Sequence, residues 1–206
     1  MLHTRCVHSA TLELLRQLTN LPFLQDFYLV GGTALALYYG HRASVDLDLF
    51  TNADVDWDAL NDEILTIGEW QSFHRRKRIY QGYLEGVKVD FVHYPYPPLN
   101  PINHFEGFRL ISIEDIAAMK LSAVTGRGSK KDFFDIHLLL QHFTLAEMVV
   151  FFEKKFPQVG TFHVIRSLTW FEDAEKDQDP DLFEEVSWHE VKIFITTTVN
   201  TYLKSL

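Results

Sequence analysis

The sequence predicts an α+β chain, an N-terminal region of strands and helices followed by a C-terminal region that is helical. Three observations carry that expectation. Period-two alternation and short apolar runs bounded by glycine occur before residue 94. The segment Tyr94-Pro95-Tyr96-Pro97-Pro98-Leu99-Asn100-Pro101 cannot be regular structure, because proline removes a backbone donor and restricts its predecessor. Beyond it, apolar residues recur at helical spacing.

Taken in order, Ser9 to Leu18 reads as an amphipathic helix with Leu12, Leu15 and Leu18 on one side. Phe27 to Val30 is a short strand stopped by Gly31-Gly32, and the Ala- and Leu-rich stretch Thr33 to Tyr39 is a helix. Ser44 to Phe50 alternates as a strand does, with Val45, Leu47 and Leu49 on one face and Asp46, Asp48 and Phe50 on the other. A helix over Trp57 to Ile67 follows. Ile79 to Leu84 and Val87 to His93 form two strands around a Glu85-Gly86 hairpin turn. Ser112 with Asp115 resembles a capping box, ahead of the apolar stripe Ile113, Ile116, Ala117, Leu121 and Val124. Helices are then expected at Lys131 to His142, Leu145 to Lys155, Val159 to Phe171 and Trp188 to Leu203. No internal repeat or flexible linker is evident.

Composition bounds the function. At 206 residues, 47% hydrophobic and 14% aromatic, the chain has ample apolar material for a core and is not a disordered class. Its single cysteine, Cys6, excludes an internal disulfide framework. With no apolar run long enough to cross a bilayer and no leader pattern at the start, the expected setting is the cytoplasm, without a membrane partner. A net charge of -9 argues against a polyanion binder that uses its whole surface. The charge is uneven, however. Residues 172–206 hold a strongly acidic run, whereas Arg75, Arg76, Lys77 and Arg78 form one basic cluster and Arg127, Lys130 and Lys131 another. Each cluster is either a local anion-binding surface or simply solvated.

Candidate chemistry concentrates at residues 29–50. Asp46 and Asp48, two apart on a strand, put two negative charges on one face, which is costly unless a cation offsets them. Hard oxygen ligands of this kind suit Mg²⁺, which takes its remaining ligands from water and substrate phosphate. Asp90, between Val89 and Phe91 on another strand, is a candidate third metal ligand. Gly31-Gly32 at a helix start lets backbone amides approach a phosphate. Lys120 lies four residues from both Ile116 and Val124, inside the apolar stripe, so its ammonium needs a partner. Either it pairs with Asp132 or Asp135, or it reaches a triphosphate. The ten histidines are scattered without zinc-type spacing.

Gly31-Gly32, Asp46-x-Asp48 and Asp90 together resemble the signature of the nucleotidyltransferase fold. The stretch IAAMKLSAVTGRGSKKDFFDIHLLL, residues 116–140, is similar to the lysine and K-D-x-x-D motifs of the AbiEii/AbiGii toxin family. That family supplies the toxins of type IV toxin–antitoxin systems and includes MenT-like transferases that modify tRNA. The resemblance implies a mixed sheet with flanking helices over 1–105 and a helical region over 106–206 packed on it as one compact unit. It implies nucleotide binding by Gly31, Gly32, Thr33, Arg42, Ser44 and Lys120, and Mg²⁺, one ion or two, at Asp46 and Asp48, with Asp90 as the further ligand. Catalysis would fall to Asp46, Asp48, Lys120, Asp132 and Asp135. The implied reaction moves a nucleoside monophosphate from a nucleoside triphosphate to an acceptor hydroxyl, on a tRNA 3′ end, as a growth-inhibiting toxin with a cognate antitoxin. Arg75, Arg76, Lys77, Arg78, Arg127, Lys130 and Lys131 become candidates for holding tRNA phosphates. The alternatives are a transferase acting on an antibiotic or metabolite, and a nucleotide-binding module without turnover.

Overall fold

Residues 1–126 and 128–206 are described by the computed structural model of the chain, and they divide into two units, Met1–Ser112 and Ile113–Leu206. A boundary after 105 would separate a pair of bonded strands, Asn103–Phe105 and Phe108–Leu110. The division after Ser112 keeps them together.

The first unit is built on a seven-stranded mixed sheet. Helix α1 (Ser9–Asn20) buries Thr11, Leu14, Leu15 and Leu18, a stripe centred beside the predicted one. Strand β1 (Tyr28–Leu29) leads into α2 (Gly31–Tyr39), which Gly40 ends in the left-handed region at φ +72°, its amide donating to Ala36 O. Strand β2 is Leu47–Thr51, and α3 (Trp57–Leu65) is capped by the Asp56 carboxylate, which accepts from the amides of Asp58 and Ala59. Strands β3 (Trp70–Arg76), β4 (Ile79–Leu84), β5 (Val87–His93), β6 (Asn103–Phe105) and β7 (Phe108–Leu110) complete the sheet, in the order β3-β4-β5-β2-β1-β7-β6. β2 runs parallel to β5 and β1 parallel to β7; the other neighbours are antiparallel. Both the Glu85-Gly86 and the Glu106-Gly107 turns have positive φ at each residue, as a two-residue hairpin turn of the primed type requires.

Alternation then sorts the two faces. Leu47, Leu49, Thr51, Tyr80, Leu84, Val89 and Phe91 are buried, while Asp48, Gln81, Tyr83, Lys88 and Asp90 lie on the more open face. The predicted strand over 44–50 is shorter at its start. Val45 is 61% exposed instead of sharing the buried face, because the ladder with β5 begins at Leu47. Strands β3, β6 and β7 were not expected: β3 is an edge strand whose exposed positions carry no apolar alternation, and β6 and β7 have three residues each.

The second unit consists of α4 (Ile113–Gly126), α5 (Lys130–Leu139), α6 (Leu145–Lys155), α7 (Thr161–Ser167) and α8 (Trp188–Lys204). α4 packs against α5, α6 and α7, and α8 against α5 and α6. Capping boxes start α6 (Thr144 with Glu147) and α8 (Ser187 with Glu190). Asp115 forms an ion pair with Lys155, Oδ1 to Nζ 2.6 Å, and neither side chain is exposed. Among the described residues no helix is long and apolar enough to cross a membrane.

Arg109 of β7 ties the first unit together by donating to three backbone carbonyls, Phe27 O at 2.8 Å, Thr19 O at 2.9 Å and Leu24 O at 2.8 Å. Burial lowers its pKa, against the pull of Asp26. Lysine cannot reproduce a planar fork of this kind. Arg109→Lys is therefore expected to destabilise the chain by about 2–4 kcal/mol, read from the denaturant midpoint.

Candidate active site

The first turn of α2 is shaped by what presses on it. Gly31 sits at φ +69°, a region that favours glycine, and a Cβ there would stand 2.5 Å from Asp48 Oδ2. A Cβ on Gly32 would run into the Arg42 guanidinium. Gly31 is thus favoured by the turn, and at both glycines a side-chain tip lies where a Cβ would stand. It brings the Asp48 carboxylate to the positive end of a helix.

Thr33, 1% exposed, fixes the segment that carries the carboxylates. Its hydroxyl donates to the Asp46 backbone carbonyl and accepts from Ser44 Oγ at 2.7 Å. Thr33 and Ser44 were expected to bind nucleotide; here their hydroxyls bond each other. Arg42 is buried and donates from Nη1 to Ala43 O at 3.0 Å.

Register places the third carboxylate. Asp48 is paired with Asp90 across β2 and β5, and Asp90 with Gln81 across β5 and β4, so all three lie in one row on the open face. Gln81 Nε2 donates to Asp90 Oδ2 at 2.5 Å, and Lys88 Nζ lies 3.3 Å from both Asp90 oxygens. Asp90 Oδ1 is buried and accepts no hydrogen bond. Burial disfavours the charge on Lys88, but Asp90, Asp46 and Asp48 outweigh it and hold the ammonium above the ordinary lysine range. Asp46 itself precedes β2, so it is not a strand residue. Among the described residues no three His, Cys, Asp or Glu side chains are placed together to hold a metal ion, so the expected triple set of Asp46, Asp48 and Asp90 is not gathered at one point. Lys88 and Gln81 were absent from the sequence-based candidates. The available signal was their spacing: Lys88 is two residues from Asp90 and shares its face.

In the second unit, Lys120 takes the paired alternative. Its Nζ is 2.8 Å from Asp132 Oδ1 and 2.6 Å from Asp135 Oδ2, and both carboxylates are fully buried. Ser129 Oγ donates to the other Asp132 oxygen at 2.5 Å.

The basic clusters separate in character. Arg76, Lys77 and Arg78 are exposed around the tip of the β3–β4 hairpin, and Arg75 pairs with Asp58 at 2.6 Å while lying over the Tyr80 ring. Lys130 does not fit an RNA-binding role. It is 6% exposed, with Nζ donating to Asp177 O at 2.6 Å and paired with Asp179 at 3.0 Å. Lys131 is exposed, and Arg127 lies outside the described residues.

A mixed sheet whose strand bearing Asp48 faces a glycine-led helix start, with an aspartate in register on the next strand, is the arrangement of the nucleotidyltransferase fold. Two solved structures have this fold: a candidate nucleotidyltransferase from Helicobacter pylori, at TM-score 0.58 and 20% identity over 97% of each chain, and MenT4, a nucleotidyltransferase toxin from Mycobacterium tuberculosis, at TM-score 0.59 and 15% identity over 95% of this chain and 83% of that one. Residues 13–197 match the nucleotidyl transferase AbiEii toxin family of type IV toxin–antitoxin systems, and the chain belongs to that family. An uncharacterized protein of Aquifex aeolicus is 35% identical over 94% of this chain and 96% of its own length.

Removing Lys120 would strand two buried carboxylates. Lys120→Ala is expected to cost about 3–5 kcal/mol in an unfolding titration. Lost transferase activity at unchanged stability would instead assign Lys120 to nucleotide contact.

Proposed function

We propose that the chain transfers a nucleoside monophosphate from a nucleoside triphosphate to the 3′ hydroxyl of tRNA, with Mg²⁺ at Asp46 and Asp48, and that this inhibits growth until a cognate antitoxin relieves it in the cytoplasm. The observation that carries the reading is the Asp48 carboxylate against Gly31, which joins hard oxygen ligands and a helix N-terminus at one spot. The residues suit a divalent cation in kind. Asp46 and Asp48 offer carboxylate oxygens, and the charge of three aspartates already outweighs burial at Lys88. When bound, Mg²⁺ would polarise the α-phosphate and offset charge on departing pyrophosphate.

The remaining work falls to the chain. Amides at the start of α2 would orient the triphosphate, with the nearby Arg42 guanidinium adding positive charge. The acceptor hydroxyl would attack the α-phosphorus in line as the bond to pyrophosphate breaks, and a carboxylate of the D-x-D pair would take its proton. The nucleotide contact implied for Lys120 would require its ammonium to leave Asp132 or Asp135; holding those carboxylates is the better-supported role.

Support for an RNA acceptor comes from the β3–β4 hairpin. Phe73 and Tyr83, 52% and 44% exposed, meet with ring centroids 5.5 Å apart on the same hairpin whose tip carries Arg76, Lys77 and Arg78. Exposed rings and basic side chains along one hairpin suit unpaired bases and their phosphates.

Incubation with each α-labelled triphosphate, Mg²⁺ and total tRNA tests the reading. Label is expected in tRNA, reduced about a hundredfold or more by Asp48→Asn. Label in tRNA that survives in the variant would sink the Asp48 assignment; label appearing only in a small acceptor would replace tRNA. At the hairpin, Arg78→Ala is expected to raise KM for tRNA and lower the slope of log KM against log salt by about one, at unchanged kcat. An unaltered slope would remove the hairpin from the RNA surface.

A further inference from the structure

Lys88 stands where the active face is most negative. Its ammonium is equidistant from the two Asp90 oxygens at 3.3 Å and lies within the fields of Asp46 and Asp48. That is the position a cation would take in front of a carboxylate. Asp90 already has a cation in front of it: Gln81 donates to Oδ2 at 2.5 Å, and Lys88 stands 3.3 Å from Oδ1 as the charge that faces it. A divalent ion on Asp90 would also have to lie beside the ammonium, and the two would repel.

We infer that Lys88 is a built-in cation in place of a second divalent ion, so that the site holds one Mg²⁺, on Asp46 and Asp48, while Lys88 and Gln81 hold Asp90. The inference rests on the metal reading given above. It makes Lys88 a positioning residue. Its charge keeps Asp90 aligned in the row with Asp48, without any exchange of metal.

Counting Mn²⁺ bound to the full chain by electron paramagnetic resonance, with no nucleotide present, tests this. The wild type is expected to bind one ion. Asp48→Asn should lose it, and Asp90→Asn should keep it with affinity within about threefold. Lys88→Met, which keeps the length of the side chain without its charge, should gain a second ion or bind the first about tenfold more tightly. Lys88→Arg, which restores the charge, should return the count to one, and circular dichroism would show that each variant is folded. Two ions in the wild type, one of them lost in Asp90→Asn, would overturn the inference and leave the metal reading standing. So would Lys88→Met with unchanged count and affinity. Binding that survives Asp48→Asn would overturn the metal reading itself, and the inference with it.

Discussion

The first turn of α2 is bare, and side-chain tips fill the space. Asp48 and Arg42 both press against its backbone, one at Gly31 and the other at Gly32, closer than any Cβ would allow. Much of the first unit follows from that contact. The Asp48 carboxylate can reach the helix start only if β2 lies beside β1, and the amide of Val30 donates to Asp48 O at 2.9 Å to hold that spacing. Thr33, one residue further on, then fastens the segment before β2 through the Asp46 carbonyl and Ser44. Since β2 is in parallel register with β5, the position of Asp48 also decides that its neighbour is Asp90.

The two units treat charge differently. In the first, the carboxylates sit on the more open face of the sheet, part-buried. In the second, Lys155 with Asp115 and Lys120 with Asp132 and Asp135 are buried among helices. Buried ion pairs add little stability over a well-packed apolar core, because desolvation offsets their attraction, but losing one partner is costly. They fix which helices meet: α4 with α6 through Asp115, and α4 with α5 through Lys120. Lys130 extends the pattern, anchoring residues 177–179 while its ammonium lies 5.5 Å from the centre of the Trp188 ring. Some of the acidic segment is therefore internal counter-charge, which composition alone could not reveal.

The helices were legible because a long amphipathic pattern repeats over several turns; α6 and α8 begin where their sequence patterns place them. The D-x-D motif and the glycine pair were legible as residue types, since two like charges two residues apart and two glycines at a helix start each call for an explanation. What could not be read was pairing. Strand β3 has exposed polar residues on an edge, and β6 and β7 are too short to show a period. Lys130 and Lys131 are adjacent in sequence, yet one is buried and the other exposed, a distinction set by Asp177, far along the chain. Lys88 escaped notice because a lysine on a strand is ordinarily solvated; only the register that sets Asp90 beside Gln81 and Asp48 gives it a place.

Among the described residues, strand β3 closes one side of the sheet without a partner beyond it. Such a rim is a template on which another chain could add a strand, and proteins with a straight, apolar rim are prone to fibril-like stacking. Here the register shifts between Ser72 and His74, and Arg75 and Arg76 follow within the strand. The kink interrupts the run of free amides and carbonyls, and the like charges of two such rims would repel. Colloidal safety and the proposed grip on RNA phosphates would thus fall to the same few side chains, and neutralising them for one purpose would be felt in the other.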